Sequence, residues 1–482
     1  MKSIYDARNI SMMMDLYELT LANGYFLEEH EKRKVAFDVF YRKNPDEGGF
    51  AVFAGLEQIL EYLSGMRFED EDIQYLRSLG HFDEEFLKYL KTFRFHGDVY
   101  AFPEGTVMYP GEPIITVVAD LVEAQLIETE ILAQVNHQSL IATKANRIVR
   151  SAQGRSVSDF GARRAHNNDA AIFGARACYI GGVNGTATVS AGQDFHIPVG
   201  GTMAHSWVMF YKDELTAFRR FAARYPHNCI LLVDTYDVLK SGVPHAIQVF
   251  REMQEQGVDS RYFGIRLDSG DLAYLSRRAR AMLDEAGFPN AKIVVSNSLD
   301  EYTIYSILQQ GGQIDAFGVG ERMITARSEP VFGAVYKLCA VEEKGVMVPR
   351  IKISENIEKV TNPGLKKIYR LYDQKGHSIV DLIALQDETP ESITAMLDPE
   401  KPWKHYPTEG MVFKELQVPV MQGGMRLQPV EDIKDIRQRL RNQLEQEVWE
   451  EEQRFQNPHK HYLDMTPAYY AEKMRLLQEE MS

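Results

Sequence analysis

The chain has 482 residues, of which 44% are hydrophobic, 26% charged and 11% aromatic, enough apolar material for two or three packed domains and too much for a disordered or fibrous chain. With 54 Lys and Arg against 69 Asp and Glu, the formal net charge of −15 argues against non-specific nucleic-acid binding and against docking on anionic membranes. Three isolated cysteines in apolar stretches (Cys178, Cys229 and Cys339), no apolar leader and no run of about 18 uncharged apolar residues predict a soluble, cytoplasmic protein without disulfides, zinc or a membrane span.

Residues 35–41 alternate weakly, and 97–118 holds short strand-like runs broken by Pro103, Pro110 and Pro113, so 1–120 reads as an N-terminal α+β domain. A long helical pattern over 121–149 leads into the next region. Residues 157–208 are rich in Gly, Asn and hydroxyl side chains and carry Arg163, Arg164 and Arg176. In an acidic chain this combination suits a phosphorylated or carboxylated ligand. Guanidinium groups grip such anions at two points, and glycines let backbone N–H groups approach. His205 follows Gly200, Gly201 and Thr202 in what reads as a tight turn at a rim. A histidine so placed suits a general base, a metal ligand or a phosphoryl acceptor, and spacing alone leaves all three open.

The clearest pattern spans 229–320. The apolar runs 229–233, 262–267, 292–296 and 314–317 lack alternation, as strands buried on both faces do. Helical segments at 238–256, 272–286 and 301–310 end in Gly257, Gly287 and Gly311-Gly312. Ser298-Leu-Asp-Glu301 has capping-box spacing at the start of the third. Repeated strand, polar loop, helix and glycine predict βα units; a barrel and an open sheet give the same local pattern, and the barrel is preferred. Each strand's C-terminal end carries polar residues, among them Asp234, Asp237, Asp268 and Asp271. Converging carboxylates there suit a hydrated Mg²⁺ bridging to substrate phosphates, while about half of these acids should cap helices instead. Gly318-Val-Gly320 is placed to offer backbone N–H groups to a phosphate. No P-loop and no Gly-x-Gly-x-x-Gly fingerprint is present.

The domains so drawn are 1–120, the α/β barrel with the active site at 121–340, and a mixed region over 341–482. The last holds Lys352, Lys359, Lys366 and Lys367 and ends in a charged, helix-prone tail from 431, which reads as a solvated appendage.

In order along the chain, Asp15-Leu-Tyr17-Glu-Leu-Thr20, Phe37-Asp-Val-Phe40, Ala142-Thr-Lys144-Ala, Tyr179-Ile-Gly-Gly182 and Gly201-Thr-Met-Ala-His205-Ser206 closely resemble nicotinate phosphoribosyltransferases. So do Val233-Asp-Thr-Tyr-Asp237, Arg266-Leu-Asp-Ser-Gly-Asp271, Val295-Ser-Asn297, Gly318-Val-Gly320 and Val335-Tyr-Lys337-Leu338, leaving only the C-terminal tail uncovered. The resemblance implies an irregular α/β barrel of the type II phosphoribosyltransferase kind, with an N-terminal α+β domain and C-terminal helical and mixed elements. It implies that nicotinate and phosphoribosyl pyrophosphate give nicotinate mononucleotide and pyrophosphate, coupled to ATP hydrolysis, in NAD salvage. It further implies Mg²⁺ and a homodimer with active sites near the interface.

By the same resemblance His205 would be phosphorylated by ATP, and Asp268 would be a second catalytic group. Tyr17, Thr202 and Arg266 would contact nicotinate, Arg266 pairing with its carboxylate or lying between it and the ribose phosphates, and Asp234, with Asp268, would hold the metal or the ribose hydroxyls. Arg163, Gly318, Gly320 and Glu321 would bind phosphate, Glu321 standing where some members have threonine. Ala187 replaces the acid that follows Gly-Thr in the related nicotinamide-using enzyme. A carboxylate there would repel the nicotinate carboxylate, so Ala187 favours the acid as substrate. Quinolinate is the other rival base, and its enzyme uses no ATP. A catalytically silent metabolite binder on the same scaffold is the alternative from another class.

Overall fold

The apolar runs of 229–320 form strands because helices cover them, and two further strands extend the same sheet. The computed structural model describes residues 9–354 and 360–481, so Lys359 lies outside the described residues. In sheet order the strands are Gly185–Thr186, Ser156–Asp159, Ala316–Val319, Lys292–Ser296, Phe263–Leu267 and Cys229–Leu232, every pair parallel. The first and last do not bond to each other, which makes this an incompletely closed, irregular α/β barrel. Helices Val243–Glu255, Leu272–Glu285 and Glu301–Gln309 return the chain between strands. Gly257 and Gly287 follow the first two at φ +83° and +89°, which a Cβ would resist.

The third helix starts differently from its expected capping box. Its N-cap is Asp300, whose side chain accepts from the Thr303 N–H at 2.8 Å, while Ser298 sits at φ +45° outside the helix. Glu301 does not reach back because its carboxylate is buried between Lys144 at 2.8 Å and Arg147 at 2.9 Å.

The barrel belongs to one compact unit, 141–330; residues 1–140 and 331–482 form the other. The stretches 1–120 and 341–482, read as separate domains, share a seven-stranded antiparallel sheet. In it Val335–Glu343 and Ile115–Asp120 flank Lys34–Phe40, and Val418–Gln422 pairs with Asp98–Ala101. A second sheet of six strands is built around Lys366–Tyr372 and Ser378–Leu385. Buried ion pairs tie this unit together: Lys366 to Asp38, and Arg370 to both Asp381 oxygens at 2.8 and 2.6 Å. Lys367 donates to the Glu388 carbonyl at 3.0 Å, and Lys352 is exposed.

The helical pattern at 121–149 is two helices, Leu121–Gln125 and Glu128–Ser151. The tail is not a solvated appendage. Helix Ile433–Gln446 buries Ile433, Ile436, Leu440 and Gln443, and strand Tyr462–Met465 joins the six-stranded sheet in parallel with Ser378–Leu385. An apolar stripe only three aliphatic residues long is hidden in the overall charge of that helix, yet it is enough to seat one face. The three cysteines are buried and free, and among the described residues no helix is long and apolar enough to cross a membrane.

Candidate active site

The C-terminal ends of the parallel strands carry the expected polar residues on one rim. Of the four strand-end acids, two are structural. Asp237 accepts from the Leu239 and Lys240 N–H groups, and Asp271 caps helix Leu272–Glu285 by accepting from Tyr274 N–H. Asp234 and Asp268 turn instead toward His205, the first residue of the short helix His205–Phe210. Its Nε2 lies 3.9 Å from Asp234 Oδ1 and 3.8 Å from Asp268 Oδ2, and its Nδ1 lies 3.1 Å from Thr235 Oγ1. The His205 side chain is 41% exposed, so part of it remains open to a ligand.

Arg266 is the structural centre of this group. Nε donates to Ser296 Oγ at 2.9 Å, Nη2 to Asp268 Oδ1 at 3.1 Å, and Nη1 to Thr202 Oγ1 at 2.8 Å and the Met203 carbonyl at 3.2 Å. A guanidinium has about five N–H donors, so these four bonds leave a single N–H, on Nη2. Arg266 thereby fastens the turn that precedes His205 to two barrel strands. Its guanidinium also lies over the Phe160 ring at 5.8 Å. Burial pushes the Asp268 carboxyl up, but the Ser296 hydroxyl, the Arg266 guanidinium and His205 together hold it below the usual carboxylate range. Asp234 Oδ2 accepts from the Asp268 N–H at 3.0 Å and from the Ser269 hydroxyl at 2.6 Å. Its Oδ1 is buried and accepts no hydrogen bond.

His205, Thr202, Arg266, Asp234 and Asp268 are therefore brought together. Gly318 and Gly320 bracket the end of strand Ala316–Val319, and Arg163 lies just past the neighbouring strand, exposed and without a hydrogen bond or ion pair among the described residues. Arg164 is the same, whereas Arg176 is buried against the Phe195 ring. Glu321 pairs with Arg327 at 2.9 Å, so its carboxylate is already engaged. Ala187 follows directly after strand Gly185–Thr186 and is exposed. Tyr17 belongs to the other unit. It lies in the first turn of helix Leu16–Leu27, 42% exposed, and burial together with a hydrogen bond to Glu128 raises its hydroxyl well above the ordinary tyrosine range.

Two residues at the rim were given no role by the sequence. Ser296 is buried between Arg266 and Asp268, and donates a short hydrogen bond to Asp268 Oδ1. Phe160 fills the space in front of Gly318, where an added Cβ would come within 2.3 Å of its ring. A glycine followed two residues later by another glycine was the only available trace of that ring.

Known proteins resemble this chain along nearly its whole length. The chain matches three family models: the nicotinate phosphoribosyltransferase N-terminal domain over residues 12–136, the nicotinate phosphoribosyltransferase family over 155–375 and the C-terminal domain over 365–473. The likeness thus extends well into the tail. The nicotinate phosphoribosyltransferase of Bacillus subtilis is 44% identical over 477 residues, 98% of this chain and 96% of that protein. Nicotinate phosphoribosyltransferase 2 of Arabidopsis thaliana is 35% identical over 79% of this chain and 78% of its own. The crystal structure of human nicotinic acid phosphoribosyltransferase superposes with a TM-score of 0.82 at 26% identity, covering 97% of this chain and 100% of that one. With a histidine, two strand-end carboxylates and a fixed arginine on a barrel rim, and with these matches along nearly its whole length, the chain belongs to the nicotinate phosphoribosyltransferase family.

Proposed function

We propose that this chain joins nicotinate to phosphoribosyl pyrophosphate and couples the step to ATP hydrolysis through a phosphohistidine at His205, as part of NAD salvage. The observation that carries the reading is the His205 ring, held between the Thr235 hydroxyl on one nitrogen and two carboxylates on the other. Carboxylates facing Nε2 favour a proton there, which leaves the lone pair on Nδ1. That lone pair attacks the γ-phosphoryl group of ATP, ADP leaves, and water later releases phosphate from the ring. Asp234 and Asp268 balance the positive charge that the ring gains on phosphorylation.

In the transfer itself the C1–oxygen bond to pyrophosphate breaks, the pyrophosphate oxygen keeps the electron pair, and the pyridine nitrogen bonds to C1. Arg266, with its one spare N–H and its full positive charge, suits the nicotinate carboxylate, and Thr202 borders the same space. The flat Phe160 ring beside Arg266 suits a planar aromatic acid. Tyr17 would stack on the pyridine ring, and the absence of an acid at Ala187 spares the substrate carboxylate a repulsion. Arg163 and the backbone of Gly318 and Gly320 would hold the ribose phosphate. Glu321 would contribute its backbone N–H only.

The residues also fit Mg²⁺. The orphaned Asp234 Oδ1 is the kind of buried anionic donor a cation satisfies. Among the described residues no three His, Cys, Asp or Glu side chains form a metal-binding group. Mg²⁺ commonly keeps several waters and is held by one or two carboxylates together with substrate phosphates. Asp234, with Asp268, would hold it, and when bound it supplies charge neutralisation for the departing pyrophosphate. The working form we propose is a cytoplasmic homodimer. Met209 and Phe210, 65% and 80% exposed on the helix that begins with His205, offer an apolar contact to a second copy.

The test is product formation from phosphoribosyl pyrophosphate with nicotinate or nicotinamide, each with and without ATP. Nicotinate mononucleotide forming faster with ATP, with little amide product, is expected. His205→Ala should abolish nicotinate-stimulated ATP turnover while the protein stays folded. A labile phosphoenzyme persisting in that variant would sink the assignment.

A further inference from the structure

The Arg266 and Asp268 side chains come from the same strand end, two residues apart, and they do not form the two-point pair that a guanidinium and a carboxylate frequently make. Only Nη2 reaches Asp268, and only Oδ1 is reached. The Ser296 hydroxyl, from the adjacent strand Lys292–Ser296, stands where the second contact would be. It accepts from Arg266 Nε at 2.9 Å and donates its own proton to the same Asp268 Oδ1. One hydroxyl therefore satisfies both groups and keeps them at a single point of contact. Asp268 Oδ2 is left without a bond to Arg266, and it is the oxygen that lies 3.8 Å from His205 Nε2.

Ser296 is itself fixed. It is 4% exposed and paired in register with Gly318 of strand Ala316–Val319, while the preceding Val295 pairs with Leu267 of strand Phe263–Leu267. Without the hydroxyl, Arg266 Nε would lose its acceptor and Asp268 would lose one donor. The nearest replacement for each is the other, through rotation of the carboxylate into a side-on pair with the Nε–Nη2 edge, the geometry a guanidinium and a carboxylate prefer. That rotation takes Oδ2 away from the histidine.

We propose that Ser296 is a positioning residue that holds Arg266 and Asp268 in single-point contact, so that Asp268 Oδ2 stays turned toward His205. It acts through Asp268 and does not touch substrate. This rests on the reading of His205 as the group that ATP phosphorylates, and it adds a structural requirement to it: the coupling of ATP to product depends on a hydroxyl on the strand next to the one that leads to Asp268.

The experiment measures nicotinate mononucleotide formation with and without ATP for the wild type, Ser296→Ala and Ser296→Thr, alongside their melting temperatures and the crystal structure of S296A. Ser296→Ala is expected to melt close to the wild type and to lose about tenfold in the ratio of rates with and without ATP, the usual scale for removing a supporting hydrogen bond behind a functional group. Its structure should show Asp268 paired side-on with Arg266. Ser296→Thr, which keeps the hydroxyl, should recover the ratio. An S296A protein that keeps the wild-type ratio, or one whose Oδ2 still faces His205, overturns the proposal. So does a folded S296T that loses the ratio, and this variant decides the matter if S296A does not fold. A wild type whose rate is indifferent to ATP defeats the underlying reading of His205 instead, and the proposal with it.

Discussion

The Nδ1 atom of His205 lies 3.1 Å from Thr235 Oγ1, on a loop that follows strand Cys229–Leu232 and immediately after Asp234. Consecutive residues at one strand end thus address opposite nitrogens of the same ring, Thr235 at Nδ1 and Asp234 at Nε2. The ring plane is set by this pair, because rotation about the Cβ–Cγ bond breaks both contacts together. Thr235→Val keeps the branched shape and removes one contact. A single hydrogen bond of about 1 kcal/mol corresponds to about a fivefold effect. The ATP-stimulated rate of T235V should fall by about that factor, measured as nicotinate mononucleotide formed at saturating substrates, with the melting temperature unchanged.

Arg266→Lys tests whether the fork itself is needed. A lysine offers about three donors from one point and cannot span Ser296, Thr202, the Met203 carbonyl and Asp268. Hydrogen bonds from a charged group contribute about 1.5–3 kcal/mol each, so losing two costs at least about a hundredfold in kcat/KM for nicotinate. Charge alone is retained in the variant. Activity near that of the wild type would mean that charge and not geometry is what the site requires of this residue.

Gly318 has a packing reason that is separate from any phosphate. A Cβ there would lie 2.3 Å from the Phe160 ring, and Phe160 is the ring over which Arg266 sits. Gly318→Ala must push Phe160 aside, at a cost of about 1–3 kcal/mol in stability. The melting temperature of G318A should drop, and KM for nicotinate should rise more than KM for phosphoribosyl pyrophosphate. A change confined to the latter would assign Gly318 to the phosphate alone.

How much of this was legible in the sequence depended on whether a residue's role is local. The barrel strands were visible because burial on both faces leaves uninterrupted runs such as Cys229 to Val233, and glycines stop the helices between them. Strand-end aspartates were visible as a set. Which of them cap helices was not, because Asp237 and Asp268 look alike until the following backbone is in place. Ser296 was visible only as the middle of the Val295-Ser-Asn297 motif, with no role attached: its part in the site comes from Arg266 and Asp268 at the neighbouring strand end. The capping-box spacing at Ser298 misled because Glu301 had a stronger claim on it from Lys144 and Arg147. The tail misled by composition, since Ile433, Ile436 and Leu440 are few among many charges but fall on one helical face.

The helix that carries Tyr17 should respond to pH through its neighbour Glu18. This carboxyl is fully buried, and burial pushes it up from 4.5 to about 7, against hydrogen bonds from the Thr129 hydroxyl and the Asp15 N–H; the Glu128 carboxylate adds to the rise. One of its oxygens, Oε2, has no hydrogen-bond partner, so the ionised form is poorly served where it sits. The folded protein therefore binds this proton more tightly than the unfolded chain does. The stabilisation is complete below the ordinary glutamate value of 4.5 and is lost as pH rises through about 7. Glu18→Gln, neutral at every pH, should remove that dependence. Asp464, raised by burial to about 6, titrates in the same window, so the quantity to follow is the difference between wild type and E18Q and not either curve alone. Thermal melts from about pH 5 to about pH 8 should show the wild type losing ground steadily against E18Q. Parallel curves would mean that Glu18 is ionised throughout, and that the first turn of helix Leu16–Leu27 holds Tyr17 in place without a proton.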